Sequence, residues 1–284
     1  MKYVFEGPGL RKRTVDSSRR DAISDRVESN VKSRQEDGQF VVALARGMEL
    51  LAAFRSDDKE LSNAELAKRT GYSKPTITRL TFTLMKTGYL RYNEHSGNYA
   101  LGPRVISLAS PYLNGLSFLP RIQPELQHIA DISGTATAVA TRRNLEMIYL
   151  GYYRSAASLG LLLELGSSVP IVSTSHGRAY LAQIEEDERE EILAELEEQF
   201  PAQAKGLRGK IAEFQQALLS RGYHTACGEW NPNVNAVATA FRLPGSKEVF
   251  TINCGGHVSQ LTPDVIERIG PYLKRLRDLL SGAK

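Results

Sequence analysis

Several kinds of chemistry have no footing in this 284-residue chain. Its two cysteines, Cys227 and Cys254, form no C-x-x-C pair, and no H-x-x-x-H pair accompanies them, so a zinc site has no motif to rest on. A mixed site with His224 and His257 is conceivable only if Tyr223–Cys227 and Glu248–Cys254 are neighbouring strands. Two buried, apolar cysteines are the simpler expectation. Met1 to Gly9 holds too few apolar residues for a secretory signal, and Arg11-Lys12-Arg13 follows it. Reduced thiols in a cytoplasmic protein, without a structural disulfide, are therefore expected. No apolar run approaches the roughly 18–20 residues that cross a bilayer, so no membrane partner is expected. Ser173, Ser175 and His176 superficially suggest a small-molecule hydrolase. The G-x-S-x-G elbow is missing, however, and His176 stands too close in the same segment to serve as the base. Nothing in the sequence calls for a cofactor, and an enzyme is not expected.

Strong charge of one sign is also missing, since the net charge is only +4. Its distribution is uneven. Residues 1–38 carry nine Lys/Arg against seven Asp/Glu, residues 39–104 ten against six, and residues 105–284 seventeen against nineteen. Positive charge in the N-terminal third suits a nucleic-acid-binding head joined to a body with another task. Residues 1–38 are expected to be a charged extension, with weak helical periodicity around Ala22 to Val31. A DNA-contacting arm through Arg11-Lys12-Arg13 and Arg19-Arg20 is an alternative to a solvated tail.

The most informative segment runs from Leu61 to Leu90. Ser62 and Glu65 have the spacing of a capping box, and Gly71 stands where a helix ends in the left-handed conformation. Ser73 is placed to cap a second helix, with Pro75 in its first turn. Ile77, Leu80 and Leu84 lie on one stripe of that helix; Pro75, Thr78, Arg79, Phe82 and Lys86 lie opposite. This is the plan of a helix-turn-helix, and it names double-stranded DNA as a partner. Ser73, Lys74, Thr76, Thr78 and Arg79 sit where a major-groove helix presents its first turns. Arg79 can fork onto a guanine edge; the competing reading pairs it with Glu65. Lys68, Arg69, Lys86 and Arg91 are expected to meet phosphates or water.

Phe40, Leu44, Gly47, Leu51 and Phe54 recur at helical spacing and predict a supporting helix. Tyr89–Tyr92 and Tyr99–Leu101, around the turn Asn93–Asn98, predict a wing. Arg104–Leu113 reads as a linker helix interrupted near Pro111, and Leu119–Ser133 as a helix ending at Gly134. Strands are expected at Thr137–Thr141, Met147–Tyr153, Leu159–Leu165, Tyr223–Cys227, Val234–Phe241 and Glu248–Cys254, with a loop around Gly166-Ser167-Ser168 and Pro170. Helices are expected at Ser175–Gln183, Glu185–Phe200 and Gly209–Arg221. A final helix, capped by Thr262, is expected from Pro263 to Leu280. The result is an α+β chain: a winged helix-turn-helix domain at 39–102, a linker at 103–118, and a domain at 119–284 around an antiparallel sheet.

The stretch Leu61–Leu101 resembles the DNA-binding domain of the isocitrate lyase regulator (IclR) family. It carries Leu61, Glu65-Leu66-Ala67, Gly71, Thr76-Ile77-Thr78-Arg79-Leu80 and Gly88-Tyr89-Leu90, and Tyr99-Ala100-Leu101-Gly102 matches the family's wing exit. Val169–Ala182, Arg221-Gly222-Tyr223, Glu229 and Pro232–Ala238 resemble motifs of the family's second domain. The resemblance covers roughly residues 40–280. It implies a GAF-like effector-binding domain, a homodimer or homotetramer on a pseudo-palindromic operator, and control of a catabolic operon by a small organic acid such as glyoxylate, pyruvate or an aromatic acid. By position it places Leu161, Val169, Ser175, His176, Glu229, Val234, Ala236, Asn253 and Gly255 around the effector. Two departures stand out: His176 where relatives commonly have a small residue, and Asn233 in place of a glycine.

Helix chemistry points to the same segment independently. Ser173–Gly177 opens a helix, whose N-terminal N–H groups can hold an anion. Thr174 and Ser175 add hydroxyls, and His176 is expected to carry charge near pH 6.5. A carboxylate ligand fits such a site; the alternative is that Thr174 or Ser175 only caps the helix. A constitutive DNA-binding protein whose second domain only dimerises is the competing function.

Overall fold

The computed structural model describes residues 39–55, 58–159 and 163–282. The expectations for residues 1–38 fall outside them. The chain divides into two compact units, with the boundary after Gly115.

The first unit begins with helix α1 (Val42–Ala52), followed by α2 (Asn63–Thr70) and α3 (Lys74–Lys86). Hairpin strands β1 (Leu90–Asn93) and β2 (Asn98–Leu101) come next, then α4 (Arg104–Gly115). The cap signals do what the spacing predicts. Ser62 Oγ accepts from the Glu65 N–H while Glu65 reaches back to the Ser62 N–H, and Gly71 ends α2 at φ 75°. Leu50, Leu61, Leu66, Ile77 and Leu90 form the buried centre, flanked by Leu80 and Leu84. The buried side of α1 is therefore set by Leu50, not by Leu44, which is exposed. Gly102 lets the wing exit close on the end of α3: a Cβ there would lie 2.3 Å from the Gly88 carbonyl oxygen. Helix α4 runs continuously through Pro111 rather than breaking there.

The second unit opens with α5 (Phe118–Ser133), ended by Gly134 at φ 67°. Strands β3 (Ala136–Arg143), β4 (Glu146–Arg154) and β5 (Ser168–Pro170) follow. Helices α6 (Ser175–Gln183), α7 (Glu186–Gln199), α8 (Pro201–Ala204) and α9 (Leu207–Ser220) come next. Strands β6 (His224–Cys227), β7 (Val234–Arg242) and β8 (Val249–His257) lead to α10 (Pro263–Ser281). The strands form one antiparallel sheet in the order β5-β4-β3-β8-β7-β6.

Strand alternation sorts the core into two layers. Val139, Val237, Phe250 and Ile252 face α5 and α10, together with Ile122, Leu126, Ile269 and Leu273. Ala138, Ala140, Ala238 and Ala240 share the other layer with Leu181, Leu193, Leu196 and Phe214 of α6, α7 and α9. The expected loop at Ser168–Pro170 is instead the edge strand β5, held by Met147↔Val169 pairing. The strand expected at Leu159–Leu165 falls partly outside the described residues, and its described part is not strand. The expectation of buried cysteines holds for Cys254 alone, and their strands are not neighbours. Cys227 is exposed while Cys254 is buried, and β7 lies between their strands. Among the described residues, no group of His, Cys, Asp and Glu is placed to hold a metal ion. No helix of the described residues is long and apolar enough to cross a membrane.

Candidate functional site

Two places in the molecule gather the residues singled out from sequence. One is the outer face of α3. Ser73, Lys74, Thr78, Arg79, Phe82 and Lys86 are exposed there, and Thr76 is half-buried. Ser73 occupies the N-cap position but caps no backbone N–H; its hydroxyl meets that of Thr76 at 3.0 Å. Thr78 donates its hydroxyl proton to the Lys74 carbonyl at 3.0 Å, so only its lone pairs remain for an outside donor. Lys86 lies 5.5 Å from the ring centre of Phe82, joining an apolar and a cationic surface on the outer face. Arg79 forms no ion pair with Glu65, which closes the capping box instead. Arg91 is exposed on β1.

Arg69 is a correction. It is half-buried, donates to Asp58 Oδ1 at 2.8 Å and to the Ala53 carbonyl at 2.9 Å, and so ties α2 to the chain before it. That guanidinium holds the Asp58 carboxyl below its ordinary range, against the opposing effect of burial. This internal pairing takes the place of the expected contact with phosphate or water.

The second place lies in the second unit, where the sheet face is built from small residues. Ala136, Gly255 and Ala236 form one cross-strand row, and Ala138, Asn253 and Ala238 the next. Ala140, Thr251 and Ala240 make a third. With no bulk on this floor, the N-terminal half of α6 sinks against the sheet, and every residue from Ser175 to Leu181 is buried. Gly177 is the point of closest approach, because a Cβ there would lie 1.8 Å from the Ile171 carbonyl oxygen. Thr174 caps α6: its Oγ1 accepts from the Gly177 N–H at 3.2 Å and donates to the Pro170 carbonyl at 2.8 Å.

Between this floor, α6 and the loop after β6 lies a cavity of about 110 Å³. Val169, Thr174, Ser175, His176, Val234, Ala236, Asn253 and Gly255, all named from sequence, line it. Leu161 is outside the described residues. Glu229 does not line the cavity. It pairs with Arg178, which does, and with Lys210 Nζ at 2.8 Å. Burial pushes the Glu229 carboxyl up, but these two cations outweigh it and hold the group below its ordinary range.

The sequence reading missed Tyr149, Tyr152, Arg178 and Trp230, the chain's sole tryptophan, all of which line the cavity. A signal existed for Trp230, which interrupts the polar run Glu229-Trp230-Asn231-Pro232-Asn233 where a turn needs no large ring. For Tyr149 none did, because strand alternation alone does not tell a core tyrosine from one that borders a cavity.

His176 is the second correction. It is fully buried, and burial drives its pKa down to about 3, against a weaker opposing effect of the Asn253 side chain. The ring is therefore neutral rather than charged near pH 6.5. Its Nδ1 lies 2.7 Å from Thr251 Oγ1, the Tyr149 ring packs with its centre 5.3 Å away, and Nε2 has no partner. Asn253 Nδ2 donates to Ser175 Oγ at 3.3 Å. Burial also pushes the Tyr149 phenol up, so it stays protonated. The cavity thus presents aromatic and alanine walls with a few polar groups at its α6 end, the composition of a small-molecule site.

Comparison with known proteins covers both units. The family described as IclR helix-turn-helix domain matches residues 43–94, and the family described as bacterial transcriptional regulator IclR C-terminal matches residues 111–281. An IclR family transcriptional regulator from Brucella abortus has a crystal structure similar to this chain, with 36% identity and a TM-score of 0.74. The match covers 88% of this chain and 95% of that one. The HTH-type transcriptional regulator TsaQ1/TsaQ2 of Comamonas testosteroni is 29% identical over 85% of this chain and 88% of its own length. An IclR homolog from Microbacterium hydrocarbonoxydans, crystallised with 4-hydroxybenzoate, shares the fold. It is 19% identical with a TM-score of 0.66, over 85% of this chain and 98% of that one.

Proposed function

The chain belongs to the IclR family of bacterial transcriptional regulators, and from that premise we propose that its cavity binds a small organic acid that governs DNA binding by the α3 face. The observation that carries this reading is the cavity itself, bounded by α6 and the loop at Trp230 over a floor of alanine and glycine. The positive end of α6 and the Arg178 Nε–H, which the Glu229 pair leaves without a partner, favour an anionic group on that ligand. Tyr149, Tyr152 and Trp230 favour a flat, apolar remainder. The relative crystallised with 4-hydroxybenzoate held a compound of this class.

On the DNA side, Ser73, Lys74, Thr76, Thr78 and Arg79 face the major groove, with Lys86 and the wing's Arg91 on phosphates. A homo-oligomer places two such faces on a pseudo-palindromic operator in a catabolic gene cluster. The ligand switches occupancy only by binding one arrangement of the heads better than the other, and α4 is the segment through which that preference passes.

The test uses Trp230 as its own reporter. Titration of the full chain with small carboxylic acids should shift tryptophan emission and raise the melting temperature. The same acid should change affinity for a promoter fragment selected by the protein. An acid that binds without changing that affinity would leave a constitutive DNA-binding protein.

A further inference from the structure

The cavity wall contains a hydrogen-bonded chain whose protons can be placed. Thr251 Oγ1 lies 3.1 Å from the Ala140 carbonyl oxygen and 2.7 Å from His176 Nδ1. A carbonyl can only accept, so the single Thr251 hydroxyl proton goes to Ala140. Thr251 Oγ1 must then accept from His176, which puts the imidazole proton on Nδ1. The alternative, with Thr251 donating to Nδ1, sets two acceptor lone pairs against each other at the Ala140 contact. The ring is neutral, so Nε2 carries a lone pair and no proton.

That lone pair has no partner in the protein, although the ring is fully buried and borders the cavity. Its nearest polar neighbours give it no hydrogen. Asn253 makes a side-chain hydrogen bond to the ring that favours the protonated form, as an acceptor does, while its amide nitrogen donates to Ser175 Oγ. Arg178 donates to Glu229 and to the Ser173 carbonyl, and its Nε–H is buried with no partner. A buried acceptor on a cavity wall is satisfied from the cavity, by an ordered water or by the donor of a ligand that displaces it.

We propose that His176 Nε2 is a specificity element that selects ligands presenting a hydroxyl or amino hydrogen to it and rejects those presenting a carboxylate or ether oxygen there. This rests on the reading of the cavity as the effector site. It also orients the ligand: the acid group points away from His176, toward the Arg178 side, and the donor group goes inward. A site with a fixed acceptor discriminates strongly, because the wrong group leaves two acceptors facing each other without water.

Two measurements on the full chain test it separately. In protein labelled with ¹⁵N at its five histidines, with His176 identified by replacing the other four, the His176 signal should show a protonated Nδ1 and a bare Nε2 from pH 7 down to 5. An Nε2–H tautomer or an imidazolium would overturn the proposal. Binding of matched probes, followed by Trp230 emission, should favour 4-hydroxybenzoate and 4-aminobenzoate over 4-methoxybenzoate and terephthalate by about tenfold or more. In His176→Leu that preference should disappear. Equal or reversed preference in the unaltered protein sinks the proposal. If none of the four binds while the tautomer is as assigned, the cavity reading fails and the selectivity goes with it. If they bind but the tautomer is the other one, only the role of His176 fails.

Discussion

Helices α3 and α6 both begin beside a hydroxyl-bearing N-cap residue, and there the likeness ends. In α3 only Ile77 and Thr81 are buried, and the hydroxyls of its outer face bond the helix's own backbone. In α6 seven consecutive residues are buried, and Ser175, His176 and Arg178 bond to strands and loops distant in sequence. An exposed helix reserves side chains for a partner outside the chain. A buried one has nearly all its polar groups committed, so the two atoms left uncommitted, His176 Nε2 and Arg178 Nε, are the informative ones. The first kind of site is defined by what is presented, the second by what is missing.

The sharpest way to break this contrast is Gly177→Ala. The new methyl would sit 1.8 Å from one backbone atom of Ile171 and 2.5 Å from another, with no flexible side chain to yield. Overpacking against rigid backbone should cost the second unit about 3 kcal/mol or more, seen as a fall in the denaturant midpoint of Trp230 emission. Gly71→Ala, at φ 75° in the exposed turn before α3, should cost only about 1 kcal/mol of helix-end strain. Equal effects at the two glycines would mean that α6 is not seated as tightly as the structure has it.

Next in size is Arg79→Ala. Arg79 is exposed on α3, so unfolding stability should stay within about 0.5 kcal/mol. Affinity for a selected operator should fall about 10- to 100-fold, as loss of a bidentate base contact requires. Arg69→Ala should do the reverse, since Asp58 is left partly buried without its cation. Fluorescence anisotropy on one labelled duplex, beside a melt of each variant, separates the two outcomes. Should Arg79→Ala bind DNA as well as the parent, the α3 face does not read bases through this residue.

The same contrast explains what could be read from sequence. The helix-turn-helix was legible because its signals are local: Ser62 and Glu65 stand three residues apart, Gly71 follows the helix it ends, and Pro75 sits in the first turn of the next. The caps at Gly134 and Thr262 were legible for the same reason. Arg69 looked like its neighbour Lys68, because only the fold brings Asp58 and the Ala53 carbonyl to it. The site segment at Ser173–His176 was found from its helix start, but the state of His176 was not. That depends on Thr251 and Ala140, far away in sequence, and on rows of alanine and glycine visible only once the strand order is known. The two cysteine strands went wrong likewise, since nothing local says that β7 runs between them.

The smallest expected effect, per step, tests the buried side through pH. His176 has a pKa of about 3 in the folded chain, against about 6.5 in an unfolded one. Between those values the unfolded chain binds a proton that the folded chain refuses, so stability rises with pH. The contribution is present in full above about pH 6.5 and declines as pH falls toward 3, by about 1.4 kcal/mol per pH unit. Unfolding free energies measured from about pH 6 to 4.5 should therefore fall more steeply in the parent than in His176→Leu, with a difference in slope approaching that figure. The depressed carboxyls of Asp58 and Glu229 also lose stability in acid. They do so mainly below about pH 4.5 and in both proteins alike, so the difference isolates the imidazole. Identical slopes would mean that the folded chain takes up the proton as readily as the unfolded one. The imidazole would then be no bare acceptor, and α6 would stand closer to α3 than its burial implies.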